Sequence, residues 1–259
     1  MGIVRTDQWL KDNFSRPLKI CEKLKPYFSK KSPDEIYNEL LHFGMYRPSF
    51  GSRNHLNRML DFKVWDRVEL LFNKYKQKWS GPDIPVFLFP LNQRGGLFSW
   101  KDDKKKGGVS FADKMFLFLS DHNDEKEIEA LLVHEYHHVC RLQKSTKKYE
   151  HYTLLDSIII EGLAEYAVLK HCGDQYLAEW CNRYSEAELN LFWDRFIKDH
   201  LTVKKHEKVH DDLLFGGRSV PPLLGYALGY QLVNKFFDNQ NYSVIRSFKI
   251  PSSQFLDNE

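Results

Sequence analysis

Two histidines four residues apart, with a glutamate beside the first, form an HExxH pattern at His134-Glu135-Tyr136-His137-His138. The pattern lies inside an apolar-periodic segment from about Asn123 to Leu142. On a helix His134 and His138 stand one turn apart on the same face, so both imidazoles can reach one metal ion with Glu135 beside it. The chemistry this suits is zinc-assisted hydrolysis, which needs two histidines on a fixed helix, a third protein ligand and a fourth position left for water. A second match, His206-Glu207-Lys208-Val209-His210, competes for the same role.

Context separates the two. The downstream pair sits among Lys204, Lys205, Glu207, Lys208, Asp211 and Asp212, with no buried face to hold the rings and no later glutamate before Glu259. It reads as a chance match in a solvated link, from which His210 could still approach the cleft. After the upstream pair, Glu161 and Glu165 lie one turn apart on an otherwise apolar helix, a costly placement for two carboxylates unless charge or hydrogen bonds compensate. A metal ion would compensate, which makes Glu161 the natural third ligand. Glu165 becomes the natural acceptor for the outward N–H of a ligating histidine. Gly162 between them would let this helix approach the HExxH helix closely. The competing structural reading, a buried histidine pair bonded to carboxylates without metal, requires separate partners for His134, Glu135, His138, Glu161 and Glu165. His137 faces elsewhere and is not counted as a ligand.

HEYHH followed by Glu161-Gly162-Leu163-Ala164-Glu165 resembles the gluzincin arrangement, in which a glutamate on the next helix completes the metal site. More closely, the chain resembles the YjaZ-type family of predicted zinc-dependent proteases. The resemblance runs through GGVSFADKMFLFLS, HEYHH, EGLAEY, LLFGG and PLLGYALGYQLV, and covers most of residues 80–240. It implies a zinc metallopeptidase with zinc on His134, His138 and Glu161 and with Glu135 as general base. Glu135 would take the proton of the attacking water and later protonate the leaving amine. A further donor should stabilise the tetrahedral oxyanion. Tyr226 and Tyr230 are the candidates, because Gly225 and Gly229 would let their helix pack tightly beside the site; the alternative is that both are core residues with satisfied hydroxyls. His210 and Arg218 are weaker alternatives.

The elements that must position these groups follow from periodicity. Residues 1–80 read as a helical lead-in, punctuated by Pro17, Pro26, Pro33, Pro48 and Gly51, in which His42 and His55 read as surface or capping residues. After Gly81-Pro82 the period changes: 84–90 (IPVFLFP), 97–100 and 107–120, bent near Asp113, read as strands of a small, largely antiparallel sheet, with Gly95-Gly96 and a lysine-rich tip as turns. The last strand feeds the HExxH helix, capped by Asn123 or Asp121. Thr153 with Asp156 forms a capping box for the glutamate helix, which Gly173 ends. Residues 143–259 complete a C-terminal helical lobe, with Pro221-Pro222 opening its last long helix. The expected architecture is α+β: one zincin-like domain over 1–259, mainly helical, with the sheet ahead of the HExxH helix.

Composition bounds the function. With 42% hydrophobic residues the chain can bury a full core, and a formal net charge of +3 gives no field arguing for nucleic acid as partner. Cys21, Cys140, Cys172 and Cys181 form no CxxC pair and read as small buried thiols. The start lacks a secretory apolar core, and Glu161 and Glu165 interrupt the best candidate membrane span, so the expected location is cytoplasmic and no membrane partner is expected. No GxSxG elbow or nucleotide fingerprint is present. The expected function is zinc-dependent hydrolysis of peptide bonds, the substrate peptide pairing most simply with an exposed edge within residues 107–120; the alternative is an edge covered by the N-terminal helices. Two competitors are a non-catalytic, metal-stabilised binding module, against which intact Glu135 argues, and a zinc amidase acting on a small molecule.

Overall fold

The computed structural model describes residues 2–92, 106–120, 124–145, 147–217, 219–238 and 240–256. The expected strand at 97–100, the Gly95-Gly96 turn, the caps Asp121 and Asn123, and Arg218 lie outside these residues. The chain divides into two compact units, Met1–Val139 and Cys140–Glu259.

The first unit opens on a two-residue strand, β1 (Gly2–Ile3), followed by five helices: α1 (Thr6–Asn13), α2 (Pro17–Leu24), α3 (Pro33–Phe43), α4 (Phe50–Asp61) and α5 (Val64–Trp79). Then come β2 (Pro85–Pro90), β3 (Lys106–Ser110), β4 (Met115–Leu119) and the start of α6 (Glu125–Lys144). The prolines act where the sequence placed them: Pro17 and Pro33 each stand in a helix's first turn, where a missing N–H costs nothing. Ser32 and Glu35 add a capping box to α3.

The four strands run in the order β1-β2-β4-β3. β1 and β4 both pair with β2 in parallel, and only β3 runs antiparallel, against β4. The sheet is therefore mixed and mostly parallel, which corrects the expectation of a largely antiparallel one. Two things produce this. Helices α1–α5 provide the long crossover that a parallel β1–β2 pair requires. And residues 107–120 are two strands of a hairpin, closed where Phe111 N–H donates to Lys114 O at 2.9 Å, rather than one bent strand. Every residue of β2 and β4 is buried. That is the pattern of a sheet covered on both faces, and it explains why PVFLFP and MFLFL are continuous apolar runs with no polar alternation. Phe87 stacks on its register partner Phe116 at 4.8 Å, and Trp9, Tyr27 and Phe28 pack over the pair. His55 is buried, not at the surface as expected.

The second unit is built on α7 (Leu154–Cys172), capped by Thr153 and Asp156 as the sequence indicates and ended at Gly173, whose φ is +105°. Around it lie α8 (Glu186–Phe192), α9 (Lys208–Phe215), α10 (Leu224–Asp238) and the short α11 (Val244–Ser247). Ile158, Ile159 and Leu163 of α7 share one apolar core with Leu213 and Leu214 of α9 and Leu228, Leu232 and Val233 of α10. All four cysteines are buried free thiols. No helix among the described residues is long and apolar enough to cross a membrane.

Candidate metal centre

α6 begins where the Asp124 carboxylate accepts the Glu127 N–H at 2.6 Å, and Glu125 and Glu127 place negative charge in its first turn. Ile128, Leu132, Val133, Tyr136 and Val139 bury it. The Tyr136 hydroxyl donates to Pro82 O at 2.8 Å while its ring stacks on Trp79 at 5.7 Å. His137 is fully buried with its ring edge-on to Trp79 at 6.2 Å, so it points away from the chemistry, as the sequence indicates. These contacts hold the rotation of the helix about its axis, and that rotation sets where His134 and His138 point.

The His134 and His138 Nε2 atoms stand 3.1 Å apart, with the two rings nearly perpendicular at 86° and their centroids 4.7 Å apart. Two nitrogens bound to one zinc at about 2.0–2.1 Å and a tetrahedral angle would stand about 3.3 Å apart, so the pair already has a ligating spacing. Glu161 of α7 completes the group: one potential ligand atom from each of His134, His138 and Glu161 lies within 4.8 Å of the others. Two imidazole nitrogens and one carboxylate oxygen are a donor set that fits zinc.

Glu135 is buried, and its carboxylate Oε2 accepts a hydrogen bond from Ser110 Oγ at 2.6 Å. Ser110 is a contact that sequence reasoning missed; a serine inside a strand carries no spacing signal toward a helix further along the chain. Glu165 is also buried, and its Oε1 accepts the Ala178 N–H at 2.5 Å.

Gly162 serves a close approach to α10. A Cβ there would meet Gly229 O of α10 at 2.1 Å, and one at Gly229 would meet Ile158 O at 2.1 Å. The two glycines let α7 and α10 cross backbone to backbone, one residue from Glu161. Gly225 likewise fits against Leu214 of α9, at 2.8 Å from a built Cβ. On α10, the half-buried Tyr226 packs edge-on against Trp180 at 5.3 Å and beside Phe215 at 5.8 Å. The phenol of Tyr230, also half-buried, is pushed well above the ordinary tyrosine range, first by burial and then by Cys181 and Glu165.

The downstream HExxH is not a helical pair. His206 is exposed and precedes the first residue of α9, while His210 lies within that helix. His210 is nonetheless fully buried, with Nε2 at 2.9 Å from Ser157 Oγ and Nδ1 at 2.8 Å from the Asp211 carboxylate. This corrects the reading of the segment as lacking a buried face: Leu213 and Leu214 follow His210 inward beneath a charged surface.

The family described as "Predicted Zn-dependent protease (DUF2268)" matches residues 64–257. The chain is similar to the uncharacterized protein YjaZ of Bacillus subtilis (strain 168), 35% identical over 260 residues covering 99% of each chain. It is also similar to the uncharacterized protein YjfC of the same organism, 24% identical over 138 residues, half of this chain and 46% of that one. No solved structure matches it. The match over residues 64–257, which contain both the HExxH helix and the glutamate helix, places the chain in the DUF2268 family of predicted zinc-dependent proteases.

Proposed function

We propose that the chain is a zinc-dependent peptidase in which His134, His138 and Glu161 hold the metal and Glu135 is the general base. The observation that carries this reading is the grouping of those two histidines and one glutamate within 4.8 Å, with Glu135 next to His134 on the same buried helix. Three protein ligands leave a coordination position for water, which a purely structural zinc site does not keep. Bound zinc supplies acidification of its water and polarisation of the scissile carbonyl. Glu135 takes the proton of the attacking water on its carboxylate and gives it to the leaving amine. Glu165 is the proposed acceptor for a ligating imidazole N–H. Tyr226 and Tyr230 are the proposed oxyanion donors; the backbone N of Tyr230 would lie 2.8 Å from a Cβ on Gly162, the residue after Glu161.

The substrate class proposed is an extended peptide. Among the described residues β3 ends the strand order of the sheet, and an added strand is the simplest way for peptide backbone to bind there. The test is hydrolysis of a peptide library by native protein and by Glu135→Gln. Native turnover that falls about 100-fold or more in a zinc-loaded variant is the expected result. Undiminished turnover in the variant removes Glu135 as base, and turnover of small amides in place of peptides moves the activity to an amidase.

A further inference from the structure

We infer that β3 carries a cradle for the general base, in which Gly108 and Ser110 position the Glu135 carboxylate for proton transfer. The inference rests on the reading of Glu135 as base. Alternate residues of a strand face opposite sides, so Gly108 and Ser110 share one face of β3 and Gly107 takes the other. The contacts agree: a Cβ on Gly107 would meet Phe43 O at 3.4 Å, whereas one on Gly108 would fall 2.6 Å from Cγ, Cδ and Oε1 of Glu135. The Glu135 side chain therefore lies directly on the Gly108 backbone, in space that any other residue would fill.

Ser110 fixes the remaining freedom. Its Oγ is 2.6 Å from Glu135 Oε2 and 2.8 Å from the backbone oxygen of the same residue. A hydroxyl has one hydrogen to give, shared here between two acceptors of a single residue. The contact thus ties the carboxylate to its own helix backbone and restricts the side-chain torsions. With Oε2 held by Ser110, Oε1 is the atom that exchanges the proton. The strand offered to the peptide is also the strand that holds the base, so substrate docking and base alignment share one element. Gly108 and Ser110 act through Glu135 and are positioning residues.

The experiment uses full-length protein reconstituted with zinc, as native, Ser110→Ala, Ser110→Thr, Gly108→Ala and Glu135→Gln. Zinc content, melting temperature, kcat and KM for a peptide found cleaved by native protein, and crystal structures of the alanine variants are read together. The expected result is full zinc content, a kcat lowered about 10–100-fold in both alanine variants, and KM within about threefold of native. Ser110→Thr, which keeps the hydroxyl, should return kcat to within about threefold of native. The Glu135 carboxylate should be displaced in Gly108→Ala and rotated in Ser110→Ala. Native kcat in Ser110→Ala, or a carboxylate unmoved in both variants, overturns the cradle while leaving the base reading intact. Full activity in Glu135→Gln overturns the base reading itself, and the cradle's role in proton transfer with it. Should Gly108→Ala fail to fold, the Ala/Thr pair at Ser110 decides alone: equal kcat in the two contradicts the proposal.

Discussion

Glu129 is a buried carboxylate on the HExxH helix, six residues before Glu135, that the proposed chemistry does not use. Burial by itself would raise its pKa, but hydrogen bonds from Lys126, Lys74 and Tyr75 outweigh that and bring it down to about 2. A carboxylate depressed in the folded state contributes stability that is fully present above its unfolded value near 4.5 and is lost as pH falls through about 2. Glu129→Gln should therefore flatten the stability profile across that acid window and cost about 1–2 kcal/mol at neutral pH, checked by urea unfolding at a series of pH values. At this scale the sequence was informative about which residues carry chemistry and less so about what they touch. HExxH with a later EGLAE marks five polar groups on two apolar helices, and the donors of three of them lie together. Gly162 was visible as a small residue needing a close neighbour, yet spacing along one helix does not say which helix arrives; it is α10. His210 was hidden because a charged composition describes the exposed side of α9, and its buried side holds only three residues.

Among the elements, α7 and α10 are the pair most exposed to a small change. Gly162→Ala or Gly229→Ala forces a methyl into backbone at 2.1 Å, where no flexible side chain can give way. Each should destabilise by about 3 kcal/mol or more, read as a loss of melting temperature, and native stability in either variant would contradict the crossing. Arg141, near the end of α6, is the other fixed point: its buried guanidinium donates to Ser247 O at 2.7 Å and Ile250 O at 3.0 Å. Arg141→Met should remove both hydrogen bonds, cost about 2 kcal/mol or more, and increase hydrogen exchange at residues 247–252 before the rest of the chain. Helix limits were readable because caps are local chemistry, as at Thr153 and Asp156. Strand direction was not, because it depends on a two-residue strand at Gly2–Ile3 that shows no periodicity and on the split of residues 107–120 into the β3–β4 hairpin. The unbroken apolar runs of β2 and β4 did carry the hint of a sheet buried on both faces.

For the molecule as a whole, the proposed ligands come from helices separated in sequence, so holding the ion should favour the folded state. Zinc at about 100 times its dissociation constant would add about 2.7 kcal/mol, and a chelator should lower the melting temperature reversibly. An unchanged melting temperature on chelation would count against a bound ion. The most direct measurement is zinc content, by elemental analysis, of native protein and of His134→Ala, Glu161→Ala and His206→Ala, purified without chelator or histidine tag. About one zinc per chain is expected, lost in the first two variants and kept in the third. Native protein that stays metal-free after reconstitution, or zinc that disappears with His206, would contradict the proposed site.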